Sequence, residues 1–347
     1  MARNDQKGVT IVDIAREAGV SIKTVSRVIN REEGVGPKLR ARVQEFIDTM
    51  GYRPNVGARS LSGRRSYLIG VIFLRLGGYH YVGEVQLGAL RAARRAGYQL
   101  VVEQVETEDG AFNAKVFGAS LRGARFDGVV LTPPLCDDPR ILAAVEEAGV
   151  FYVRMAPNVE LDRAPYVWMD DCGAAREQTR CLLEMGHRRI AFVEGPQDHR
   201  AAVQRKAGYL QAMADQGVTV PDTWIAKGDF FGISGFKAGD ALLSLDPRPT
   251  AIFAANDEMA MGVLATAARR GIAVPEQLSV VGFDNSHAGA VAWPPLTTIH
   301  QPIAEMAEAA VDMLIRRFGD ARFAEQVTVR KLDYRLISRA SAAPPRA

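Results

Sequence analysis

The sequence predicts a small all-α head built on a helix-turn-helix, followed by an α/β core of two lobes that each contain a parallel sheet. Three observations support this fold class. Short amphipathic helical segments follow one another between residues 10 and 50. From Tyr67 onward, apolar runs of strand length alternate with amphipathic helical segments, which is typical of parallel sheets. The alternation restarts near Tyr166, and this second set predicts the second lobe.

The composition is that of a soluble globular protein with room for two or three domains. The chain has 347 residues, of which 48% are hydrophobic and 24% are charged. No apolar run reaches the roughly 18 to 20 residues that span a bilayer, and the start MARNDQKG lacks the apolar segment of a signal peptide. We therefore expect a cytoplasmic protein with no membrane partner.

The residues offer no pattern of catalysis or metal binding. The three cysteines, Cys136, Cys172 and Cys181, include no CxxC pair, so we expect reduced packing residues and no disulfide. No GxGxxG, P-loop or HExxH string is present, and SGFK at 234–237 lacks the companion motifs of an SxxK enzyme. We predict that the protein is not an enzyme and has no catalytic residues, no cofactor and no metal site.

Positive charge is concentrated at the N-terminal end of the chain. Residues 1–65 contain 13 Lys and Arg against 7 Asp and Glu, a net charge of +6, which leaves 30 against 33 for residues 66–347. A small basic module on a mildly acidic body indicates a polyanionic partner for the module alone. The alternative is a basic segment that only improves solubility.

The first two predicted helices form a helix-turn-helix. Thr10 is a good N-cap, and Asp13 lies at the third helical position, where a carboxylate favours the helix dipole. Gly19 ends this helix, and Ser21 caps the next one, VSIKTVSRVIN, after a short break. Pro37 then begins a third helix. The predicted apolar faces are Ile11, Ile14, Ala15 and Ala18, then Val25, Val28 and Ile29, then Leu39, Val43, Phe46, Ile47 and Met50.

Three strings of the N-terminal region together resemble one known family. TIVDIAREAGVSIKTVSRVIN, GYRPN and GARSLSG match, in order and spacing, the DNA-binding head of the lactose-repressor (LacI/GalR) family. The resemblance implies a helix-turn-helix DNA-binding domain over residues 1–53 and a hinge helix or linker over 54–65. It also implies double-stranded DNA as the polyanionic partner.

The resemblance assigns DNA contacts to the second helix. Ile22, Lys23 and Arg27 occupy the family's base-reading positions, and Arg27 can bind guanine O6 and N7 in a bidentate manner. For Ile22 the alternative is a partly exposed core residue. Five polar side chains are better assigned to phosphates, where they set the register without reading the sequence: Thr10, Ser21, Thr24, Ser26 and Asn30.

The segment PNVGARSLSGRR is too short and too rich in Gly and Ser to form a stable helix alone. In the family this segment becomes a hinge helix when two subunits lie side by side on the operator, and a leucine from each enters the minor groove. The alternative is a linker with an incidental leucine. The residues that match the hinge positions are Asn55, Ala58, Arg59 and Leu61.

The remaining chain resembles the two-lobed periplasmic-binding-protein fold that forms the family's core. In that fold the chain crosses between lobes three times, and we predict crossings near residues 165, 295 and 328. Lobe 1 then comprises about 66–165 and 296–327, and lobe 2 comprises about 166–295 and 328–340. After Arg339 only SAAPPRA remains, so we expect a homodimer without a tetramerising helix, and a pseudo-palindromic operator.

The same resemblance predicts an effector site between the lobes, at the carboxyl ends of the strands. A small sugar is the expected effector, because aromatic rings can cover its apolar face while polar groups fix its hydroxyls. The residues assigned to this site are Tyr79, Tyr81, Thr132, Trp168, Arg205, Phe230, Asn256, Asp284 and Gln301.

Several of these assignments have alternatives. In the pair Asn256 and Asp257, we expect Asp257 to be the helix cap and Asn256 to face the ligand. GGYHYVGE departs from the family's usual loop after the first strand, and for His80 a surface or packing role is the better interpretation. Arg154 either reaches an anionic or hydroxyl-rich ligand or forms a structural salt bridge.

We therefore expect a sequence-specific DNA-binding transcriptional regulator, a repressor of carbohydrate-metabolism genes whose operator affinity depends on a sugar-like effector. One alternative is a sugar-binding transport receptor, although such a protein has no use for the first 65 residues. A second alternative is a regulator with a purine or a phosphorylated effector, which Arg154 and Arg205 leave open. The sequence does not indicate whether the effector releases DNA or recruits it.

Overall fold

Residues 9–29, 34–52, 65–74, 79–105, 107–108, 111–319 and 327–346 are described by a computed structural model. The chain separates into two units, Met1–Tyr67 and Leu68–Ala347. The first unit is the predicted head and the second is the predicted core.

The head contains three helices around a small apolar core. They are α1 (Ile11–Ala18), α2 (Ile22–Ile29) and α3 (Pro37–Thr49). Gly19 ends α1 with a φ of 63°, a left-handed conformation that glycine adopts without steric cost. Leu39, in the first turn of α3, is 36% exposed although the pattern assigns it to the apolar face. The buried residues all come from the three predicted faces: Ile14, Ala15, Ala18, Val25, Val28, Val43 and Ile47.

The core alternates strands and helices along the chain. Up to the first crossing its elements are β1 (Leu68–Phe73), α4 (Tyr79–Arg95), β2 (Gln99–Gln104), β3 (Thr107–Glu108), β4 (Ala111–Phe112), α5 (Ala114–Ala124), β5 (Gly128–Leu131), α6 (Pro139–Glu147), β6 (Phe151–Met155) and β7 (Tyr166–Trp168). They continue with α7 (Asp171–Glu184), β8 (Ile190–Glu194), α8 (Arg200–Asp215), β9 (Ile225–Lys227), α9 (Gly232–Leu242), β10 (Ala251–Ala254), α10 (Asp257–Arg269), β11 (Ser279–Val281), α11 (His287–Val291), β12 (Thr298–His300), α12 (Ile303–Gly319), β13 (Val329–Lys331) and β14 (Arg335–Ile337).

Two parallel sheets form the two lobes, as predicted. The first has the order β13-β7-β6-β5-β1-β2 and the second has the order β11-β10-β8-β9. Strands β5, β8 and β10 are buried at every position, which explains why they appear in the sequence as continuous apolar runs rather than alternating ones.

The three crossings between the lobes come a few residues later than the sequence suggests. Strand β7 pairs with β6, and β13 pairs with β7, so both belong to the first sheet. Strand β12 pairs with β14, and its residue His300 bridges to Asp284 of the second lobe. The crossings therefore follow Trp168, His300 and Lys331. The segments YVW and VRK are too short for their pattern to assign them to a sheet before their partner strands are known.

Helix α4 is held closely against α12, which fixes the position of its first turn. A Cβ atom on Gly88 would overlap the carbonyl oxygen of Ala304, so only glycine permits this approach. At the other end of the contact, Arg95 donates to both carboxylate oxygens of Asp312 at 3.0 Å. The N-terminal turn of α4 faces the junction of the lobes, which places His80 and Tyr81 there.

Neither membrane spans nor metal clusters are found in these segments. No helix within the described ranges is long and apolar enough to cross a membrane. Across the same ranges, no group of three or more histidine, cysteine, aspartate or glutamate residues is arranged to hold a metal ion.

Candidate functional site

The polar side of α2 points away from the core of the head. Val25 and Val28 are 0% and 3% exposed, and Lys23 and Arg27 lie on the opposite side of the helix. Ile22, at the start of the helix, is 48% exposed and is not among the apolar side chains that pack on the head core. When the head is considered by itself, all three predicted base-reading residues are thus accessible to a partner.

Two of the hydroxyl side chains predicted to contact phosphates serve as helix caps. The Thr10 hydroxyl oxygen accepts the Asp13 amide at 3.4 Å, and Ser21 Oγ accepts the Thr24 amide at 3.1 Å. The Thr10 hydroxyl in turn donates to Asp13 Oδ2 at 2.7 Å. A phosphate contact from the Thr10 hydroxyl therefore requires it to exchange its acceptor. Ser26 is half-buried on α2. The other predicted DNA contacts lie outside the described residues: Asn30, Asn55, Ala58, Arg59 and Leu61.

A cavity of about 360 Å³ lies between the two lobes of the core. Side chains from both lobes line it, including Tyr81 of α4 in the first lobe and Arg205 of α8 in the second. Several loops that line it follow strand ends, where ligands of open parallel sheets bind. The predicted effector residues that line the cavity are Tyr81, Arg205, Phe230, Asn256, Asp284 and Gln301.

Arg205 is the most extensively bonded side chain of the cavity, and it is only 4% exposed. Its Nε donates to Asp171 Oδ1 at 2.9 Å, its Nη1 to the Ala255 carbonyl at 2.8 Å, and its Nη2 to Gln301 Oε1 at 2.6 Å. The guanidinium also lies 3.7 Å from the centre of the Phe283 ring. These contacts hold the arginine in one orientation before any ligand arrives.

The Asp284 carboxylate is buried in the cavity wall and accepts no hydrogen bond from the described residues. Its Oδ1 lies 3.9 Å from Nη1 of Arg205, which is beyond hydrogen-bond distance. Burial raises the pKa of Asp284 well above its ordinary value, and the nearby Arg205 only partly offsets this effect. The φ of Asp284 is 128° and that of Phe230 is 70°, conformations that cost free energy in residues other than glycine. Ala156, which also lines the cavity, has a φ of 48°, so three cavity residues have strained backbones.

Asn256, not Asp257, caps helix α10, which reverses the expected assignment. The Asn256 side chain accepts the Met259 amide at 2.9 Å and donates to the Phe230 carbonyl at 2.9 Å. Asp257 is fully buried and accepts from the Thr298 hydroxyl at 2.6 Å. The sequence pattern cannot separate two adjacent capping residues, because the choice depends on where the extended backbone turns into helix. Asn256 still lines the cavity.

Two predicted effector residues do not line the cavity. Thr132 is fully buried and donates to the Ile72 carbonyl at 2.8 Å, so its hydroxyl joins two strands of the first sheet. Trp168 lies at the end of β7, where the Lys331 ammonium is 5.0 Å from the ring centre. A third residue, Tyr79, begins α4, and its side chain lies outside the described parts of the structure.

Arg154 is a structural residue of the first lobe. It is fully buried and donates to the carbonyls of Cys136, Val159 and Glu160 at 2.7 Å each. A further bond to Asp137 Oδ1 at 2.8 Å compensates its charge. The side chain is absent from the cavity wall, so this arginine no longer supports an anionic ligand.

Sequence reasoning missed several polar residues of the cavity. Asp171 and Glu258 lie in the first turns of α7 and α10, where a carboxylate is easily taken for a residue that only favours the helix dipole. His80 also lines the cavity, although a surface or packing role was expected for it. The remaining polar and aromatic residues that were missed are Phe73, Asp198, His199, Asp229 and Phe231.

Comparison with known proteins gives matches over both units. A model of the lacI family of bacterial regulatory proteins matches residues 10–55, and a periplasmic binding protein-like domain model matches residues 179–342. Catabolite control protein A of Priestia megaterium is 33% identical over 313 residues, which cover 89% of this chain and 92% of that protein.

Two solved structures resemble the whole chain. A complex of the transcriptional regulator CelR with cellobiose has a TM-score of 0.73 and 32% identity, and covers 96% of this chain and 99% of that chain. The lac repressor dimer bound to operator and the anti-inducer ONPF has a TM-score of 0.76 and 28% identity, with coverage of 97% and 100%.

Proposed function

Because the chain belongs to the LacI family of bacterial regulatory proteins, we propose that it represses carbohydrate-metabolism genes and that a small sugar-like effector bound between its lobes changes its affinity for operator DNA. The observation that carries this proposal is the presence, in one chain, of an accessible helix-turn-helix face and a polar, aromatic-walled cavity. The protein acts as a DNA-binding transcriptional regulator in the cytoplasm, and its cavity serves in regulation and not in catalysis.

The head reads operator DNA through α2. The N-terminal half of this helix enters the major groove, where Arg27 binds a guanine, Lys23 adds a second polar contact and Ile22 contacts a thymine methyl group. Thr10, Ser21, Thr24, Ser26 and Asn30 contact phosphates and set the register. The hinge residues Asn55, Ala58, Arg59 and Leu61 contact the minor groove at the centre of the operator.

The core binds the effector with the residues that converge on the cavity. Arg205, Asp284, Gln301 and Asn256 fix hydroxyl groups, while Phe230 and Tyr81 cover an apolar ring face. The cellobiose found in a structurally similar regulator supports a carbohydrate as the ligand class.

The protein works as a homodimer on a pseudo-palindromic operator. Trp293 is 93% exposed and Val291 is 69% exposed, and such apolar exposure is typical of an interface. Next to Trp293 lies an apolar trough that includes Leu264, Ile272 and Val274. A protruding ring beside a trough on the same face suits a twofold contact, in which Trp293 of each copy inserts into the trough of the other copy. The dimeric lac repressor structure supports this assembly.

Effector binding changes DNA affinity through the relative position of the lobes. The ligand needs to prefer one lobe arrangement over the other by a coupling free energy of about 1 to 3 kcal/mol. An inducer prefers the arrangement in which the two heads no longer match the half-sites, and a corepressor prefers the other.

Fluorescence anisotropy tests the proposed function directly. Full-length protein is titrated against labelled DNA from upstream of its own and neighbouring genes, at two salt concentrations, with and without mono- and disaccharides. The proposal predicts binding to one fragment that strengthens as salt falls, exceeds binding to a shuffled fragment, and changes with one sugar. Equal affinity for all fragments, shuffled DNA included, would contradict it.

A further inference from the structure

We propose that the effector is an unphosphorylated, hydroxyl-rich molecule with about the size of one sugar ring, and that the carboxylates of Asp171, Glu258 and Asp284 exclude its negatively charged forms. This inference rests on the proposed function, because it takes the cavity between the lobes as the effector site. It assigns Glu258 a role in selecting ligands by charge.

The cavity wall contains more hydrogen-bond acceptors than the protein satisfies. The Asp284 carboxylate has no hydrogen bond to any residue within the described ranges, and its nearest guanidinium nitrogen, Nη1 of Arg205, is 3.9 Å away. Asp171 uses only Oδ1 to accept from Arg205. Glu258, in the first turn of α10, is half-buried, and its carboxylate has no hydrogen bond or ion pair to the described part of the chain. A ligand that supplies hydrogen-bond donors can therefore satisfy these oxygens.

Besides Arg205, the side chains of the wall that can donate are the amides of Gln301 and Asn256, the Tyr81 hydroxyl and the rings of His80 and His199. Three of the five N–H groups of Arg205 already donate to Asp171, Ala255 and Gln301. Gln301 accepts through Oε1 and keeps its amide protons, and Asn256 has one amide proton beyond its bond to Phe230. A hydroxyl group fits this wall because it can donate to a carboxylate and accept from an amide at the same time.

The charge balance of the wall opposes an anion. Five carboxylic acids line the cavity, Asp171, Asp198, Asp229, Glu258 and Asp284, against Arg205 as the one lysine or arginine among the lining residues. A phosphate ester carries a charge of about −1.5 to −2 at pH 7 and offers mainly acceptors. Burial raises the pKa of Asp171, Glu258 and Asp284, and the charges of Asp171 and Glu258 raise the pKa of Asp284 further. A bound phosphate would add another negative charge where water is partly excluded, which strengthens this repulsion.

A free sugar and its phosphate ester are similar in size, so the cavity has to distinguish them by their charge. A cavity of about 150 Å³ is enough to hold benzene, and 360 Å³ leaves room for a ring with its hydroxyl substituents. A phosphate group adds only a few atoms to such a ring.

Matched pairs of ligands test the inference on the full-length protein. Isothermal titration calorimetry compares glucose with glucose 6-phosphate, galactose with galactose 6-phosphate and ribose with ribose 5-phosphate, and includes cellobiose and hypoxanthine as further probes. We expect one uncharged sugar to bind, with its phosphorylated form at least about tenfold weaker. Tighter binding of a phosphorylated member, or binding of hypoxanthine alone, would overturn the inference.

The variant Glu258→Gln tests the role of one carboxylate. Glutamine keeps the shape and removes the negative charge, so the preference for the uncharged member should fall by about tenfold. Glu147→Gln, on the exposed side of α6 and outside the cavity wall, is the matched control and should leave the preference unchanged. An unchanged preference in Glu258→Gln would show that Glu258 does not help to exclude negatively charged ligands.

Different results would contradict the proposed function and the exclusion of anionic ligands. Specific operator binding together with tighter binding of a phosphorylated sugar would overturn only the proposed exclusion of negatively charged ligands. Binding of an uncharged sugar without any preference for operator DNA would support the exclusion of negatively charged ligands and would contradict the proposed function.

Discussion

Arg205 Nη2 donates to Gln301 Oε1 at 2.6 Å, and this bond joins a helix of the second lobe to the segment where the chain returns to the first lobe. The same guanidinium also holds Asp171, which follows the first crossing. Two of the three connections between the lobes thus meet at one side chain. A ligand that engages Arg205 or Gln301 acts directly on the junction whose geometry the regulator must change.

Gln301→Ala should uncouple the effector from the operator. The variant removes the acceptor that orients Arg205 Nη2 and the amide protons that Gln301 offers to a ligand. A lost neutral hydrogen bond costs about 0.5 to 1.5 kcal/mol, and with a less well oriented guanidinium effector affinity should fall by about tenfold. Operator affinity without effector should stay within twofold, because the residue belongs to the core and not to the head. Calorimetry and anisotropy measure the two affinities. The exposed Gln216→Ala serves as control, and an effector affinity equal to wild type would contradict the proposed role.

Arg27→Ala should relax base preference at one position of each half-site. A bidentate contact from arginine to guanine contributes about 1 to 3 kcal/mol of discrimination. The measurement is anisotropy against operators with each base substituted at that position. Arg180→Ala, a 62% exposed side chain of α7, controls for the loss of one positive charge. A uniform loss of affinity for all sequences would instead indicate a phosphate contact for Arg27.

Asp284→Asn should raise stability at neutral pH and reduce its dependence on pH. Burial raises the pKa of Asp284 in the folded state above the ordinary value of 3.8, so the folded protein holds this proton more tightly than the unfolded chain. The wild type therefore loses stability as the pH rises from about 3.8 through the raised pKa, and the variant does not. Urea denaturation at several pH values measures the difference.

The advantage of Asp284→Asn should be largest at neutral pH and vanish in acid, where the wild-type carboxyl is also uncharged. Effector binding should be weakened in the same variant. An advantage that grows on acidification would contradict the raised pKa.

Gln178→Met should stabilise the second lobe. Gln178 is 1% exposed, and both polar atoms of its side chain have no hydrogen-bond partner within the described ranges. An unsatisfied buried polar group costs about 1 to 3 kcal/mol, and methionine has a similar shape without that cost. Thermal or urea unfolding measures the gain. Gln216→Met at the surface should change stability by less than about 0.5 kcal/mol. A destabilised Gln178→Met would show that the amide is satisfied after all.

Trp293→Asp should weaken the dimer. A central tryptophan commonly contributes about 2 kcal/mol or more to an interface, and a charge in its place must also be desolvated. Sedimentation equilibrium should show dissociation at concentrations where the wild type is dimeric, and operator affinity should fall with it. Leu161→Asp, another exposed apolar residue at 43%, should leave the assembly intact. A dimer of unchanged affinity in Trp293→Asp would place the interface elsewhere.

Local patterns were sufficient for the head and for the outline of the core. The caps at Thr10 and Ser21, the stop at Gly19 and the apolar stripes depend on residues three or four positions apart, so the sequence contains all their determinants. The same holds for buried strands such as β8, whose apolar run is continuous because both faces of a parallel sheet are covered.

The cavity required the tertiary structure, because its residues come from segments more than one hundred positions apart. Arg205 was found by resemblance, but its partners Asp171 and Gln301 lie 34 and 96 residues away along the chain. Thr132 and Trp168 lie at strand ends, as a site residue should, yet one bonds within the sheet and the other packs under Lys331. Periodicity does not specify which side chains at a sheet edge turn into the cleft.

The sequence by itself determined the family, the order of head and core, and the accessible face of α2. Only the tertiary structure decided which charged groups lie together. It places the hydrogen-bond partners of Arg154 within the first lobe, and it leaves the carboxylates of Asp284 and Glu258 without hydrogen bonds among the described residues. The physical reason is that helix and strand patterns act over a few residues, whereas burial and electrostatic compensation depend on every group that folding brings within a few ångströms.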